Sequence, residues 1–365
     1  MAEHKKILCV HQGWELYGSD RVFIQSVKAF RQQWPDALIT VHLPKRGILS
    51  DKLDQYCDHV ITGDISIIRK NSFNLLSIMH FIKNVLLNYK TVKGYDLVYL
   101  NTGLISSYNF LTLFSKKYLL HIHEIPTGAA KVYFYFLTFL TRAKIIGNSK
   151  ATAKAIGRGQ VVYNGIINRP KQVNKRYSSE GLNVLLIGRI NSWKGHEIAI
   201  EAVNILKNNG LKDIKLKFAG SYFAEQQIFL DRLKEKITEL DLQDQVIFEN
   251  FANDPQLYYQ WADLVIVPSI KPEPFGLVAV EAMRASLPVI AANHGGLPEI
   301  VQHQETGLLF APGSASELAK AIETYYDDRS LLEQHGKQGR ERFLKHFQEQ
   351  TYMENFIKEV KSYAG

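Results

Sequence analysis

PSIKPEPFGLVAVEAMRASLPVIAANHGGLPE, residues 268–299, is the stretch that decides the fold of this chain. An apolar run from Asp263 to Val267 leads into it and reads as a strand buried on both faces. Prolines at 268, 272 and 274 keep a helix from starting before about Phe275. Leu277, Val280, Ala282 and Met283 then pattern as a short helix ending near Ser286, ahead of Pro288. Pro288 to Ala292 is the next apolar run and the next strand. Two carboxylates, eight residues apart, therefore take different places. Glu273 lies in the loop at a strand's carboxyl end, and Glu281 about one turn inside the helix. Between them, the amides near Phe275, Gly276 and Leu277 form a helix N-terminus, whose roughly +0.5 charge and open donors suit a phosphate. An anion cradle, a carboxylate for ribose hydroxyls and polar groups for a sugar are what a sugar nucleotide needs.

The stretch resembles the E-x7-E signature of the retaining glycosyltransferases of family 4, which have the GT-B architecture. Two solvated glutamates in an ordinary βαβ turn would share that spacing. PFG between them, with HGGLPEIV and TGLLF after, weighs against chance. The resemblance is strong from about Asn183 to Pro312 and looser over the amino-terminal half. It implies an α/β chain with two doubly wound parallel-sheet, Rossmann-like domains facing a central cleft. It implies transfer of a sugar from a UDP- or GDP-sugar to an acceptor hydroxyl with retained configuration. Glu273 would then face the donor sugar and Glu281 the ribose, with Pro274, Phe275, Gly276 and Leu277 beside the diphosphate.

The length of 365 residues exceeds what one core usually supports, so two domains are expected. No run of eighteen apolar residues marks a membrane span. The amino terminus runs straight from two lysines into a strand, so no signal peptide is expected. The two cysteines, Cys9 and Cys57, read as free thiols of a reducing cytosol. With no Cys/His cluster at zinc spacing and no Asp-x-Asp, a metal-independent reaction in the cytoplasm is expected. Charge is uneven. Residues 1–176 hold 25 Lys+Arg against 10 Asp+Glu, net +15, and residues 177–365 hold 19 against 26, net −7, which sum to the +8 of the whole. An anionic membrane surface or nucleic acid would each suit the basic half. No helix-turn-helix, zinc-finger or RNP pattern favours nucleic acid.

Lys5 to Val10 reads as the first strand, and Gly18 as a turn that lets backbone approach a ligand. Ser19 is positioned to cap a helix on which Phe23, Val27 and Phe30 recur. Strand and helix then alternate over Leu38–Leu43, Asp51–Tyr56, His59–Thr62, Leu75–Leu86 and Leu97–Asn101. In the long helix, Leu75, Met79, Ile82 and Leu86 line one face. This rhythm is that of a doubly wound sheet, which binds ligands at the carboxyl ends of its strands. Tyr118 to Glu124 is a strand with His121, His123 and Glu124 at its end. A structural role for these histidines stays open on the residues alone. The resemblance matches Gly18 to the family's glycine loop beside the donor diphosphate and acceptor. It matches His123 to a histidine that donates a hydrogen bond to the donor sugar. Val132 to Leu140, VYFYFLTFL, is apolar all round and reads as a buried helix or as an interfacial segment between Lys131 and Arg142.

The polar stretch 168–181 reads as a linker, dividing an acceptor domain, 1–167, from a nucleotide-sugar domain, 182–347. A helix over about 348–365 is expected to return to the first domain. After the linker, Val184 to Ile190 leads to GRINSWKG, placing Arg189 and Lys194 at a strand's carboxyl end. Two cations there can neutralise a diphosphate, each through charge-assisted hydrogen bonds. The resemblance matches them to the family's phosphate clamp and puts the base near Gly220 and Phe251. Ser286 stands where the family carries glycine. The acceptor would be a carbohydrate or a lipid-linked saccharide, met at the inner face of the plasma membrane in surface polysaccharide or glycolipid synthesis. A nucleotide-sugar-binding protein without transfer, or an epimerase or phosphorylase of the same fold, is the competing reading. Intact Glu273, Arg189, Lys194 and His123 argue against the binding protein.

Overall fold

A computed structural model of the chain describes residues 4–16, 18–65, 75–169, 177, 181–222, 224–250 and 254–364. The chain divides into two compact units, Met1–Gly165 with Glu349–Gly365, and Ile166–Gln348. The first unit runs β1 (Lys6–Val10), α1 (Gly18–Gln33), β2 (Leu38–Leu43), α2 (Ile48–Leu53), β3 (His59–Thr62), α3 (Leu75–Val92) and β4 (Leu97–Leu100). It continues through α4 (Ser106–Leu111), β5 (Tyr118–Ile122), α5 (Ala129–Leu140), β6 (Lys144–Gly147), α6 (Lys150–Ala155) and β7 (Gln160–Val161). Its seven strands pair in parallel in the order β3-β2-β1-β4-β5-β6-β7.

KILCV, LVYL and YLLHI are almost wholly apolar because both faces of the sheet are covered. Alternation sorts the side chains. Ile7, Cys9 and Tyr99 join one core with α1 and α2, and Leu8, Val10 and Leu100 join another with α4 and α5. Right-handed crossovers dictate that division, since the sheet is wound one way from β1 to β3 and the other way from β4. Phe23, Val27 and Phe30, the periodic residues of α1, are all fully buried. Ser19 does not cap α1. The helix begins one residue earlier, so Ser19 sits in its first turn, and the carboxylate of Asp20 turns back to His11 instead.

The face of α3 that carries Met79, Ile82 and Leu86 points outward; these residues are 60%, 52% and 60% exposed. The side chain of Leu75 lies outside what is described. Asn84 and Asn88 point inward instead, and Asn88 donates to Ser107 Oγ at 2.8 Å. Hydrogen bonding toward α4 thus holds the inner face and leaves the apolar residues outside. Helix α5 is also not the fully buried helix its composition suggests. Phe134 and Leu137 go into the core, while Val132, Phe136, Phe139 and Leu140 lie outside.

The second unit runs β8 (Leu182–Ile187), α7 (His196–Asn208), β9 (Ile214–Ala219), α8 (Gln227–Glu239), β10 (Val246–Glu249), α9 (Gln256–Trp261) and β11 (Leu264–Val267). It closes with α10 (Leu277–Arg284), β12 (Val289–Ala292), α11 (Leu297–Ile300), β13 (Gly307–Phe310), α12 (Ala315–Asp327) and α13 (Ser330–His346). Its six strands are parallel in the order β10-β9-β8-β11-β12-β13. Within the expected linker, 170–176 and 178–180 lie outside the described residues.

Helix α10 ends in paired C-terminal bonds, Leu287 N to Ala282 O at 2.9 Å and Ser286 N to Met283 O at 3.0 Å. That turn needs a left-handed residue, and Ser286 supplies it at φ 60°. Its hydroxyl is buried without a hydrogen-bond partner. The expectation of glycine at this position thus has a steric reason. The last helix, α14 (Glu349–Ala364), belongs to the first unit. The Phe356 ring packs 5.3 Å from that of Phe30 and 5.4 Å from that of Tyr99. The Tyr352 hydroxyl lies 2.6 Å from Ser26 Oγ of α1.

Candidate active site

In the second sheet, winding reverses between β8 and β11, and the loops past those two strands interlock. Asn191 Oδ1 accepts from the amides of Trp193 at 3.2 Å and Lys194 at 3.1 Å, curling the first loop. Ile270 N of the second loop donates to Trp193 O at 2.7 Å. Lys194 Nζ thereby reaches Glu273 Oε1 at 2.5 Å, and Ser269 Oγ donates to the same oxygen at 2.6 Å. A third loop, past β12, closes on this carboxylate's backbone. Gly296 N donates to Glu273 O at 2.8 Å, and His294 Nε2 lies 2.7 Å from Ser269 O. Gly295, at φ 61°, lies so close that a Cβ there would meet Glu273 O at 2.3 Å. The HGG run is therefore a clamp on Glu273.

Helix α10 starts beside this carboxylate. Its N-cap, Gly276, has no side chain with which to bond the first amides. Leu277 opens the helix and Pro274 lies in the preceding turn, both half-buried. Phe275 is buried, its ring 6.0 Å from that of Phe347, so it anchors the turn in the core. Glu281, inside α10, accepts from the Tyr259 hydroxyl at 2.8 Å. Tyr259 escaped the sequence reading because it lies in another helix, α9. Arg189, half-buried, follows β8 as expected. Lys194 departs from a bare phosphate clamp, because its ammonium is paired with Glu273. Gly220 sits where a Cβ would meet Gly188 O at 1.8 Å, which accounts for a glycine by packing alone. Phe251 lies outside the described residues.

In the first sheet, the reversal falls between β1 and β4. His11 and Asn101 follow those strands, and His123 follows β5. Asn101 Oδ1 lies 2.8 Å from His123 Nε2, and Asn101 Nδ2 lies 3.0 Å from His11 Nδ1. His11 Nε2 is 2.7 Å from Asp20 Oδ1. Gly18 is the first residue of α1, two before Asp20. His11, Asp20 and Asn101 carry no local sequence pattern; strand order is the signal that unites them. Burial, with His121 and His11 nearby, pushes the His123 imidazole well below its ordinary range. Burial lowers His121 to about 3, so both rings are neutral at neutral pH. Burial raises Glu124 against the opposing bond from the Thr102 hydroxyl at 2.5 Å. Among the described residues, no group of three or more His, Cys, Asp and Glu side chains is placed to hold a metal ion.

Known proteins share this architecture. The chain superposes on the Anabaena protein HepE, solved in complex with UDP and glucose, with a TM-score of 0.77 at 25% identity, covering 98% of this chain and 100% of that one. It superposes on sucrose-phosphate synthase from Thermosynechococcus elongatus with a TM-score of 0.76 at 20% identity, covering 98% and 99%. The fold is GT-B. Within this GT-B chain, residues 168–342 match the family model described as glycosyl transferases group 1. An uncharacterized glycosyltransferase of Methanocaldococcus jannaschii is 32% identical over 189 residues, 48% of this chain and 46% of that protein. Mannosylfructose-phosphate synthase of Agrobacterium fabrum is 31% identical over 152 residues, 40% of this chain and 33% of that protein. The matched segments thus span less than half the length of these relatives.

Proposed function

We propose that the chain is a retaining hexosyltransferase of family 4 that moves a sugar from a nucleoside diphosphate sugar to an acceptor hydroxyl. What carries the reading is the convergence of three strand-end loops on Glu273 and Lys194, beside the start of α10, in the unit that matches glycosyl transferases group 1. The UDP complex of HepE supports UDP as the nucleotide. The diphosphate is assigned to the α10 amides, Arg189 and Lys194, and the ribose hydroxyls to Glu281. Glu273 is assigned to the sugar, the base to the neighbourhood of Gly220, and the acceptor to the first unit. The bond between sugar C1 and the β-phosphate oxygen breaks, and its electron pair leaves on the diphosphate. The acceptor oxygen bonds C1 on the same face, and its proton passes to the departing phosphate oxygen. Cations held at the site stabilise the leaving group, in the role a divalent ion would otherwise fill. Purified protein with a panel of labelled nucleotide sugars and saccharide acceptors tests this. The expected product is a glycoside of unchanged anomeric configuration; nucleotide binding with no transfer to any acceptor would overturn it.

The acceptor is assigned to an anionic lipid surface, as in glycolipid or surface polysaccharide synthesis. Helices α3, α4 and α5 contain no Asp or Glu, and Lys83, Lys90 and Lys131 lie on α3 and α5. Met79, Ile82, Leu86, Phe114, Phe136 and Phe139 are exposed on and beside them. Phe110 bridges α3 to the end of α4, its ring 6.1 Å from Phe81 and 5.4 Å from Phe114. Apolar side chains among cations fit a headgroup layer, where each cation is worth about 1 kcal/mol. No helix among the described residues is long and apolar enough to cross a membrane, so docking by this face would be reversible. Co-sedimentation with anionic, but not neutral, vesicles is expected, weakened by salt and by Phe136→Ser with Phe139→Ser. Protein that stays in the supernatant with anionic vesicles at low salt refutes the docking and leaves the transferase reading standing.

A further inference from the structure

The hydrogen bonds past β1, β4 and β5 run in one consistent direction when His11 carries its hydrogen on Nε2, the 3.4 Å contact of His11 Nδ1 with the Asn101 backbone carbonyl oxygen being longer than the 3.0 Å contact with Asn101 Nδ2. Asp20 is an acceptor, so His11 Nε2 carries the hydrogen in their 2.7 Å contact, and His11 Nδ1 carries a lone pair. Asn101 Nδ2 faces that lone pair at 3.0 Å and also donates to Ser19 O at 3.2 Å. The reverse amide orientation would set oxygen against the lone pair and against Ser19 O. Asn101 Oδ1 therefore points the other way, where it accepts from the Tyr99 hydroxyl at 2.6 Å. It lies 2.8 Å from His123 Nε2, which must donate. His123 is thus a neutral ring with its hydrogen on Nε2 and a lone pair on Nδ1. Asn148 Nδ2 lies 3.5 Å from Nδ1, a long contact that a closer hydroxyl donor would replace.

We propose that Asp20, His11 and Asn101 are positioning residues that fix His123 as the Nε2–H tautomer, so that toward substrate it accepts a hydrogen bond at Nδ1 from a hydroxyl group. This rests on the reading that His123 faces a substrate, and it reverses the donor role that the resemblance implies. A neutral acceptor suits the transfer, since a hydroxyl held at Nδ1 is oriented without its proton being removed in advance. The charge of Asp20 sets the direction of the whole chain. With a neutral group in its place, His11 can turn its hydrogen to Nδ1, which favours the reversed Asn101 amide against its bond to Ser19 O, and the single tautomer of His123 is held less firmly.

Long-range proton–nitrogen NMR of the imidazoles in the full chain near pH 7.5 reads this directly. His123 is expected to show a protonated Nε2 and an unprotonated Nδ1. In Asp20→Asn the two nitrogens should move toward averaged positions, with about tenfold loss of kcat/KM, the scale of one misdirected hydrogen bond. Hydrogen on Nδ1 of His123 in the unaltered protein overturns the proposal, whether or not the variant folds. So does an unchanged His123 tautomer in folded Asp20→Asn. Full activity in His123→Ala would instead remove the substrate role of His123, and the tautomer measurement would still decide the positioning chain.

Discussion

Past β1 and β4 the polar groups are an imidazole and an amide; past β8 and β11 they are an ammonium and a carboxylate. Both sets sit where the winding of their sheet reverses, the usual crevice for a ligand in such folds. The first set is buried among rings, where a charge is costly unless paired, and Asp20 has His11. Its groups act through the direction of hydrogen bonds. The second set includes the start of α10, whose N-cap Gly276 offers no side chain to the first amides, together with Arg189, Lys194 and Glu273. Its groups act through full charges at short range. On the proposed function, the first unit would orient and the second would stabilise a departing anion.

The units also differ in how they hold together, and the largest expected effect falls there. Phe356→Ala should cost the first unit about 3–5 kcal/mol and leave the second nearly unchanged. Calorimetry that resolves two transitions would show one moving, whereas a common shift would mean the units melt together. Next is the charged site. Arg189→Ala should lose about 2–4 kcal/mol of transition-state stabilisation, read as kcat/KM with the best donor of the panel. An unaltered kcat/KM would break the view that the second unit works by fixed charge.

Acid should separate the units by a smaller margin. Burial lowers His42 to about 4 and His121 to about 3 in the first unit, and His196 to about 4 in the second. In the pH window between these values and about 6.5, the unfolded chain binds more protons than the folded one. Stability is therefore full above about 6.5 and is lost as pH falls through the window. At pH 5 each such ring costs at most about 2 kcal/mol; His123 adds to the loss in the first unit, and the downward shifts of His335 and His346 add to it in the second, with the larger loss expected in the first unit. Equal loss in the two transitions would contradict this. The smallest effect is a gain. Ser286→Gly should stabilise the second unit by about 1 kcal/mol, because glycine accepts φ 60° and removes a buried hydroxyl without a partner. Chemical denaturation measures it, and a loss of stability would show that Ser286 contributes something its geometry does not reveal.

Much of the second site was legible because many of its parts are neighbours in sequence, although Arg189 and Lys194 come from a loop about eighty residues earlier. Pro272, Glu273, Gly276 and Gly295 fall within one strand-loop-helix-strand unit, and local geometry explains each of them. Tyr259 was not legible, since only tertiary packing brings it to Glu281, and Ser269, though four residues from Glu273, needs the fold of its loop to turn toward that carboxylate. The chain of His11, Asn101 and His123 was legible in one member. His11 and Asn101 are ninety residues apart and meet because β1 pairs with β4, which periodicity does not specify. Helix α3 shows the limit of periodicity itself. The pattern gave the apolar face, and two inward asparagines turned that face outward.

Helix α14 has a consequence for how the chain is made. Synthesis proceeds from the amino terminus, and domains generally fold as units in that order. Here the core of the first unit lacks Tyr352, Phe356 and Val360 until the ribosome has passed the second unit entirely. The second unit, complete at Gln348, is free to reach its native state first. Until α14 emerges, the nascent first unit exposes an apolar strip along α1, around Phe30, for a chaperone to cover.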